Sequence, residues 1–154
     1  MKFETHNFGE IEIAEEDVLA FDEGLPGFPD YRRFALLAWD ENPICYLQSL
    51  EDGDLAFVVV DMMALRPDYD PHVEESHIES LGAYDPENFL VYNICTINED
   101  LIQSTVNLKA PVVINWLEKK GKQVVCGNEE YSVKAPLFDG KNADAASGEG
   151  VEIC

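Results

Sequence analysis

Hydrophobic residues along the chain fall in short runs that alternate with polar positions, and turn residues separate the runs at frequent intervals. Runs of this length that are rich in β-branched and aromatic residues are typical of strands. We predict about ten strands, at residues 8–13, 18–21, 34–39, 44–50, 55–61, 89–97, 105–108, 112–116, 122–126 and 131–135. So many strands in so short a chain favour a closed sheet over an open one. The prediction is a mainly all-β fold, a small antiparallel β-barrel-like domain that is closed or nearly closed.

Turn residues between these runs predict hairpins. Asp52-Gly53 is a strong signal for a tight hairpin. Gly121 and Gly127-Asn128 predict turns beside the later strands in the same way. The alternation in residues 8–13 slips at Gly9-Glu10, which indicates a turn or a bulge. Neighbouring strands are therefore expected to run antiparallel.

One short helix is expected between the strands, starting at Asp70-Pro71 and ending at Gly82. Asp70 suits the cap position and Pro71 the first helical position. Val73, His77 and Leu81 would share one apolar face, so His77 is expected to be packed or hydrogen-bonded rather than a metal ligand. The spacing of His72 and His77 does not match the two-histidine zinc motif.

The chain has 154 residues, which corresponds to one domain, and we place that domain at residues 1–138. Residues 139–154 are rich in small polar residues and carry a net charge of 1 − 4 = −3. Residues of this kind gain too little from packing to offset the conformational entropy lost on ordering, so a flexible acidic tail is expected.

Acidic residues dominate the charge, because 31 Asp and Glu against 10 Lys and Arg give a net charge of −21. Proteins that bind nucleic acid or anionic membranes directly need clustered cations, so we exclude both classes. The charge is uneven, since residues 1–100 sum to 4 − 24 = −20 and residues 101–138 to 5 − 3 = +2. No signal peptide or membrane span is apparent, and we expect a cytoplasmic protein.

Catalytic motifs for phosphate, dinucleotide or serine-hydrolase chemistry are missing from the sequence. The remaining enzyme hypothesis is a small thiol hydrolase in which Cys45 or Cys126 pairs with His77. Its acidic surroundings would raise a thiol pKa, and cysteines inside apolar runs are more typical of buried thiols. No metal or cofactor is predicted. A second alternative is an acidic mimic of nucleic acid that inhibits some other cationic protein.

Two further segments have the appearance of sequence motifs but contain no arrangement of catalytic residues. Residues 23–29 (EGLPGFP) form a rigid turn that either presents or buries Phe28. Residues 107–115 (NLKAPVVIN) place Pro111 inside an apolar run, which indicates an edge, a bulge or a junction between strands. An accessible edge there would accept a partner segment, whereas a self-contained corner would not.

These two segments, together with 47–49 (LQS), 55–61 (LAFVVVD), 122–125 (KQVV), Tyr131 and Pro136-Leu137, resemble the flagellar assembly factor FliW family. The motifs occur in the family's order over residues 3–138. The chain departs from the family pattern at Asp61-Met62, where Asp-Pro is common, and at Lys134, where Arg is common.

The resemblance implies a non-enzymatic cytoplasmic protein that binds newly made flagellin near its terminal segments. When free, it would bind the RNA-binding regulator CsrA and relieve repression of flagellin translation, and we expect it to be monomeric. Whether it covers the RNA face of CsrA or acts from one side stays open. The predicted partner-binding residues are Leu25, Phe28, Asp52, Asp54, Asn107, Pro111 and Asn115.

Overall fold

The structure of the protein is a computed structural model, which describes residues 2–38 and 44–138. The predicted tail, and Cys154 within it, lie outside the described residues. The strands are β1 (Lys2–Thr5), β2 (Gly9–Glu12), β3 (Leu19–Ala20), β4 (Arg33–Ala38), β5 (Ile44–Ser49), β6 (Ala56–Val60), β7 (Phe89–Thr96), β8 (Thr105–Val106), β9 (Val112–Asn115), β10 (Lys120–Gln123) and β11 (Ala135–Pro136). Two one-turn helices, α1 (Met62–Leu65) and α2 (Glu75–Ile78), lie between β6 and β7.

Seven of these strands form a closed barrel, which confirms the predicted fold class. They pair in the order β7-β6-β5-β4-β3-β10-β9, and β9 returns to β7 to close the ring. The pairs are antiparallel except for a short parallel contact, in which Lys120 of β10 lies beside Ala20 of β3. β8 and β11 extend the wall beyond β7.

The barrel interior holds the main hydrophobic core. Its buried members come from five strands and the 21–25 turn, namely Leu19, Phe21, Leu25, Phe34, Cys45, Leu47, Val59, Val112 and Ile114. Three further clusters cover the outside of the wall. One of them lies under the β1–β2 hairpin, where Phe3 and Ile11 pack against Ala35 and Leu50. The short strands therefore bury apolar residues on both faces.

Gly121 lies inside β10 and does not form a turn, contrary to the sequence prediction. Its backbone passes directly against the ring of Phe21, so a Cβ at this position would collide with that ring. The strand accordingly starts at Lys120, two residues earlier than predicted. A glycine in a strand interior thus marks a close approach rather than a chain reversal.

The predicted hairpin at Asp52-Gly53 joins β5 and β6, but it is longer than a two-residue turn. The last strand pair is Gln48 with Ala56, and the backbone N–H of Ser49 still donates to the carbonyl of Leu55 at 3.0 Å. The side-chain amide of Gln48 donates to the Leu55 carbonyl at 3.1 Å. This buried amide helps to hold the longer loop in place.

The predicted helix begins later than expected, because tertiary hydrogen bonds hold its first residues extended. The N–H of Asp70 donates to the Tyr131 hydroxyl at 2.9 Å, and the N–H of His72 donates to Asn128 Oδ1 at 2.7 Å. Helix α2 therefore starts at Glu75 and continues as a 3-10 turn through Leu81, with Gly82 ending it as predicted.

His77 is exposed, so the prediction that it packs on the apolar face is wrong. Its Nε2 lies 3.9 Å from a carboxylate oxygen of Glu74. Ile78 takes the buried position instead, where it packs with Leu81 and Val113. No helix within residues 2–38 and 44–138 has the length and apolar character needed to cross a bilayer.

Candidate partner-binding surface

The 23–29 turn buries one of its two apolar residues and exposes the other. Leu25 and Phe28 form a β-bridge, and the N–H of Phe28 donates to the Leu25 carbonyl at 2.7 Å. Leu25 is 2% exposed in the barrel core, whereas Phe28 is 37% exposed. The Phe28 ring packs edge-on against Phe57, with centroids 5.3 Å apart. Of this pair, only Phe28 offers a side chain to a partner.

Asp52 and Asp54 lie in the loop between β5 and β6. The N–H of Asp54 donates to Asp52 Oδ1 at 2.9 Å, which is a local turn contact. The next carbonyl, that of Gly53, accepts from the N–H of His6 at 2.9 Å and ties the loop to the end of β1. Asp54 is exposed and Asp52 half-buried, so the loop presents negative charge on a fixed backbone.

Asn107 and Asn115 stabilise chain turns. Asn107 Oδ1 accepts from the N–H of Ala110 at 2.9 Å. Asn115 Oδ1 accepts from the N–H of Leu117 at 3.1 Å, and its Nδ2 donates to the Leu81 carbonyl at 2.7 Å. Both side chains therefore use their amides within the fold.

Pro111 is buried at the junction that leads into β9. Its carbonyl accepts from the N–H of Val124 at 3.0 Å, and the carbonyl of Lys109 accepts from the N–H of Cys126 at 2.9 Å. Residues 124–126 thus occupy the backbone edge here. Of the two open interpretations, the self-contained corner is the one observed.

A cavity lies away from these residues, at the point where β6 ends and the chain leaves the barrel wall. This notch has a volume of about 580 Å³. Its floor is the stretch 89–92 of β7 with Val113 of β9 beside it. Its apolar walls are Met63, Val73, Ile78 and Tyr84, and its carboxylates are Asp61, Asp70 and Glu75. None of the predicted partner-binding residues lines it.

Tyr92 connects the notch to the barrel interior. Its side chain packs against the interior core and also lines the notch. Burial, followed by the neighbouring Cys45 and the negative charge of Asp61, raises the pKa of Tyr92 to about 12. The hydroxyl is therefore neutral at physiological pH.

The buried thiols are not arranged as nucleophiles. Burial raises the pKa of Cys45, with a hydrogen bond from Tyr92 acting in the opposite direction. Cys95 Sγ donates to the Val58 carbonyl at 3.6 Å, and Cys126 Sγ donates to the Leu108 carbonyl at 3.7 Å. Within the described residues, no cluster of three or more His, Cys, Asp or Glu is placed to hold a metal ion. Burial and the raised pKa of Cys45 disfavour a reactive thiolate at this position.

Sequence reasoning missed the notch, although one of its signals was present. The departure at Asp61-Met62 is where β6 stops and α1 begins, so this dipeptide opens the gap beside β7. The β7 run extends from Phe89, beyond the end of its partner strand. The mismatch in strand length becomes visible only once the pairing register is known.

Comparison with known proteins matches residues 2–137 to the family model described as FliW protein. The chain is 37% identical over 137 residues to flagellar assembly factor FliW of Caldicellulosiruptor saccharolyticus, covering 89% of this chain and 90% of that protein. It is 39% identical over 141 residues to the protein of the same name from Alkaliphilus metalliredigens, covering 90% and 87%. A crystal structure of the flagellar assembly factor FliW superimposes with a TM-score of 0.82 at 34% identity, covering 90% of this chain and 98% of that one.

Proposed function

Because the chain belongs to the FliW family of flagellar assembly factors, we propose that it is a cytoplasmic, monomeric binding protein with two alternative partners. It binds newly made flagellin before export. When free of flagellin, it binds CsrA and relieves the repression of flagellin translation. The observation that carries the proposal is the family match over residues 2–137, nearly the whole described chain.

Charge supports the CsrA half of the proposal. A protein that binds RNA through phosphates presents cations, and this chain carries a net charge of −21. Opposite charge accelerates association and makes it sensitive to salt. Exposed carboxylates such as those of Asp54 and Glu51 lie on an ordered loop. This loop is our proposed contact for a cationic surface.

Apolar surface supports the flagellin half. A chain segment awaiting assembly exposes apolar side chains that need a cover, and a groove or strand edge supplies one. The protein exposes several large apolar side chains, including Phe28, Met63 and Tyr84. A flagellar assembly factor has a non-catalytic role, so binding alone is sufficient for the proposed function.

The experiment that tests the function measures RNA release. CsrA is first bound to a labelled flagellin leader RNA, and then the purified protein is added, without and with flagellin. The proposal predicts that the protein lowers the fraction of bound RNA and that flagellin restores it. An unchanged RNA-bound fraction would reject the CsrA role, and co-purification with flagellin tests the other half separately.

A further inference from the structure

The notch lies along the edge of a strand rather than on its face. Its floor includes four consecutive residues of β7, from Phe89 to Tyr92. Successive side chains of a strand point to opposite faces, so one face would expose only alternate residues. Leu90 and Tyr92 belong to the barrel interior, whereas Phe89 packs in an outer cluster. A cavity that reaches all four residues therefore follows the strand edge.

That edge of β7 has no paired strand in the described part of the chain. The opposite edge pairs with β9, from Phe89–Asn115 to Tyr92–Val112. On the notch side, β6 pairs with β7 only from Val60–Asn93 onward, and the chain then turns into α1. Four residues of β7 thus extend beyond the end of their neighbour.

The direction of the backbone groups follows from the hydrogen bonds at both ends of this stretch. The carbonyl of Asn88 accepts from Trp116 N–H at 2.8 Å, and the carbonyl of Ile94 accepts from Asn107 N–H at 2.9 Å. Both bonds lie on the β9–β8 side, so the even-numbered residues point their backbone groups that way. Strand geometry alternates, and Val91 therefore directs its N–H and C=O toward the notch.

The surroundings of this edge combine apolar and anionic character. Met63 is 43% exposed and Tyr84 is 58% exposed, and both flank the floor. Asp61, Asp70 and Glu75 line the same cavity, and no Lys, Arg or His does so among the described residues. A complementary ligand carries apolar side chains next to a cation.

We propose that the notch binds an extended segment of flagellin, which adds as a strand to the Val91 edge of β7 and places a Lys or Arg near the three carboxylates. The choice of flagellin rests on the proposed function above. A chain segment that is not yet assembled has free backbone donors and acceptors along its whole length, whereas most backbone groups of a folded regulator are already paired. Strand addition takes its affinity from these backbone bonds and its selectivity from the flanking pockets.

The test compares notch variants with controls of equal exposure. Met63→Gln is matched by Ile102→Gln, because these side chains are 43% and 44% exposed. Tyr84→Ser is matched by Val133→Ser, at 58% and 57% exposed. Losing about 1.4 kcal/mol of contact weakens binding about tenfold. We expect the combined notch variant to bind full-length flagellin about tenfold more weakly and the control pair to bind like the original protein.

A charge pair tests the anionic part with exposed residues that leave the core intact. Glu75→Lys and Glu79→Lys change the net charge equally and lie on the same helical segment, but only Glu75 lines the notch. We expect Glu75→Lys to weaken flagellin binding several-fold more than Glu79→Lys. Equal effects would overturn the proposed pairing with a cation.

Amide hydrogen exchange tests the mode of binding. Flagellin is expected to slow exchange at Val91, because strand addition gives its N–H an acceptor. Binding without added protection at 89–92 would overturn strand addition.

If the notch variants bind flagellin as well as their controls do, the site is wrong while the function stands. If Phe28→Ala alone abolishes binding, the site is the 23–29 turn. If the unmodified protein fails to bind flagellin, the proposed function itself is rejected.

Discussion

The hydroxyl of Tyr69 accepts a hydrogen bond from Nδ2 of Asn93 at 2.9 Å and donates one to the Leu108 carbonyl at 2.9 Å, all within an outer core cluster. Tyr69 is 5% exposed and Asn93 is fully buried. The pair thereby links the segment between the two helices to β7 and to the chain that follows β8.

Removing this hydroxyl should destabilise the protein. Tyr69→Phe leaves the Leu108 carbonyl with only the weak Cys126 thiol as a side-chain donor, and losing one buried hydrogen bond costs about 1 kcal/mol. Urea unfolding at neutral pH measures the free energy of unfolding. Tyr84→Phe is the control, because that side chain is 58% exposed. Equal stability of Tyr69→Phe and the original protein would contradict the prediction.

Alkaline pH should reduce stability through the same residue. Burial raises the pKa of Tyr69 from 10.0 to about 12, with a hydrogen bond from Asn93 opposing the shift. The unfolded state then ionises first, so the stabilisation is present below about pH 10 and is lost as the pH rises toward 12. Because Phe does not ionise, the stability gap between the original protein and Tyr69→Phe should narrow over this range. A difference in the free energy of unfolding that stays constant over this pH range would contradict the role given to Tyr69.

Gly121→Ala should be strongly destabilising, because the added methyl group has no room beside the Phe21 ring. Overpacking of this kind typically costs about 1–3 kcal/mol. Gly127→Ala is the matched control, since a Cβ there would have an ordinary contact of 3.7 Å with the His72 carbonyl. Thermal unfolding compares the two variants. Adding Phe21→Leu to Gly121→Ala should restore part of the loss, and no recovery would show that the ring is not the obstacle.

Thiol alkylation should separate a binding protein from a cysteine-dependent enzyme. Cys45, Cys95 and Cys126 are buried, and burial raises the pKa of Cys45, which lowers its thiolate fraction. With iodoacetamide at neutral pH, we expect these three sites to react slowly in the native protein and rapidly in urea. Site-resolved mass spectrometry follows each cysteine. Fast native labelling of Cys45 or Cys126 would revive the hydrolase alternative.

Binding of CsrA should weaken as salt rises, because screening shortens the range of the attraction between an acidic protein and a cationic partner. A titration at about 50 and about 150 mM salt measures the change in Kd. Asp54→Lys should weaken binding more than Glu129→Lys, which makes the same charge change in the region of net +2. Salt-independent affinity would argue against an electrostatic contact.

Much of the barrel could be predicted because its strands are coded locally. The run 55–61 contains β6 and the run 44–50 contains β5, since β-branched and apolar residues there fit both buried faces of a wall. The hairpin between them was also predictable from Asp52-Gly53. Local composition was sufficient for these two strands and for the hairpin that joins them.

Features set by distant residues could not be predicted in this way. The start of α2 depends on Tyr131 and Asn128, which hold residues 70–72 extended, and these partners lie more than fifty residues away in sequence. Gly121 resembles a turn residue until the Phe21 ring is placed against it. The notch depends on where β6 stops relative to β7, which is a property of the pair. The sequence does not reveal which residues far apart along the chain lie side by side in the fold.

The parallel contact between Ala20 and Lys120 affects how the molecule is made. It joins positions that are 120 − 20 = 100 residues apart, so the ring cannot close on the ribosome until most of the chain has emerged. Topologies that depend on such distant contacts fold slowly. Until closure, the edge of β3 that later meets β10 stays unpaired, and it can pair with other nascent chains. We expect this protein to gain more from cotranslational protection than a helical protein of the same size.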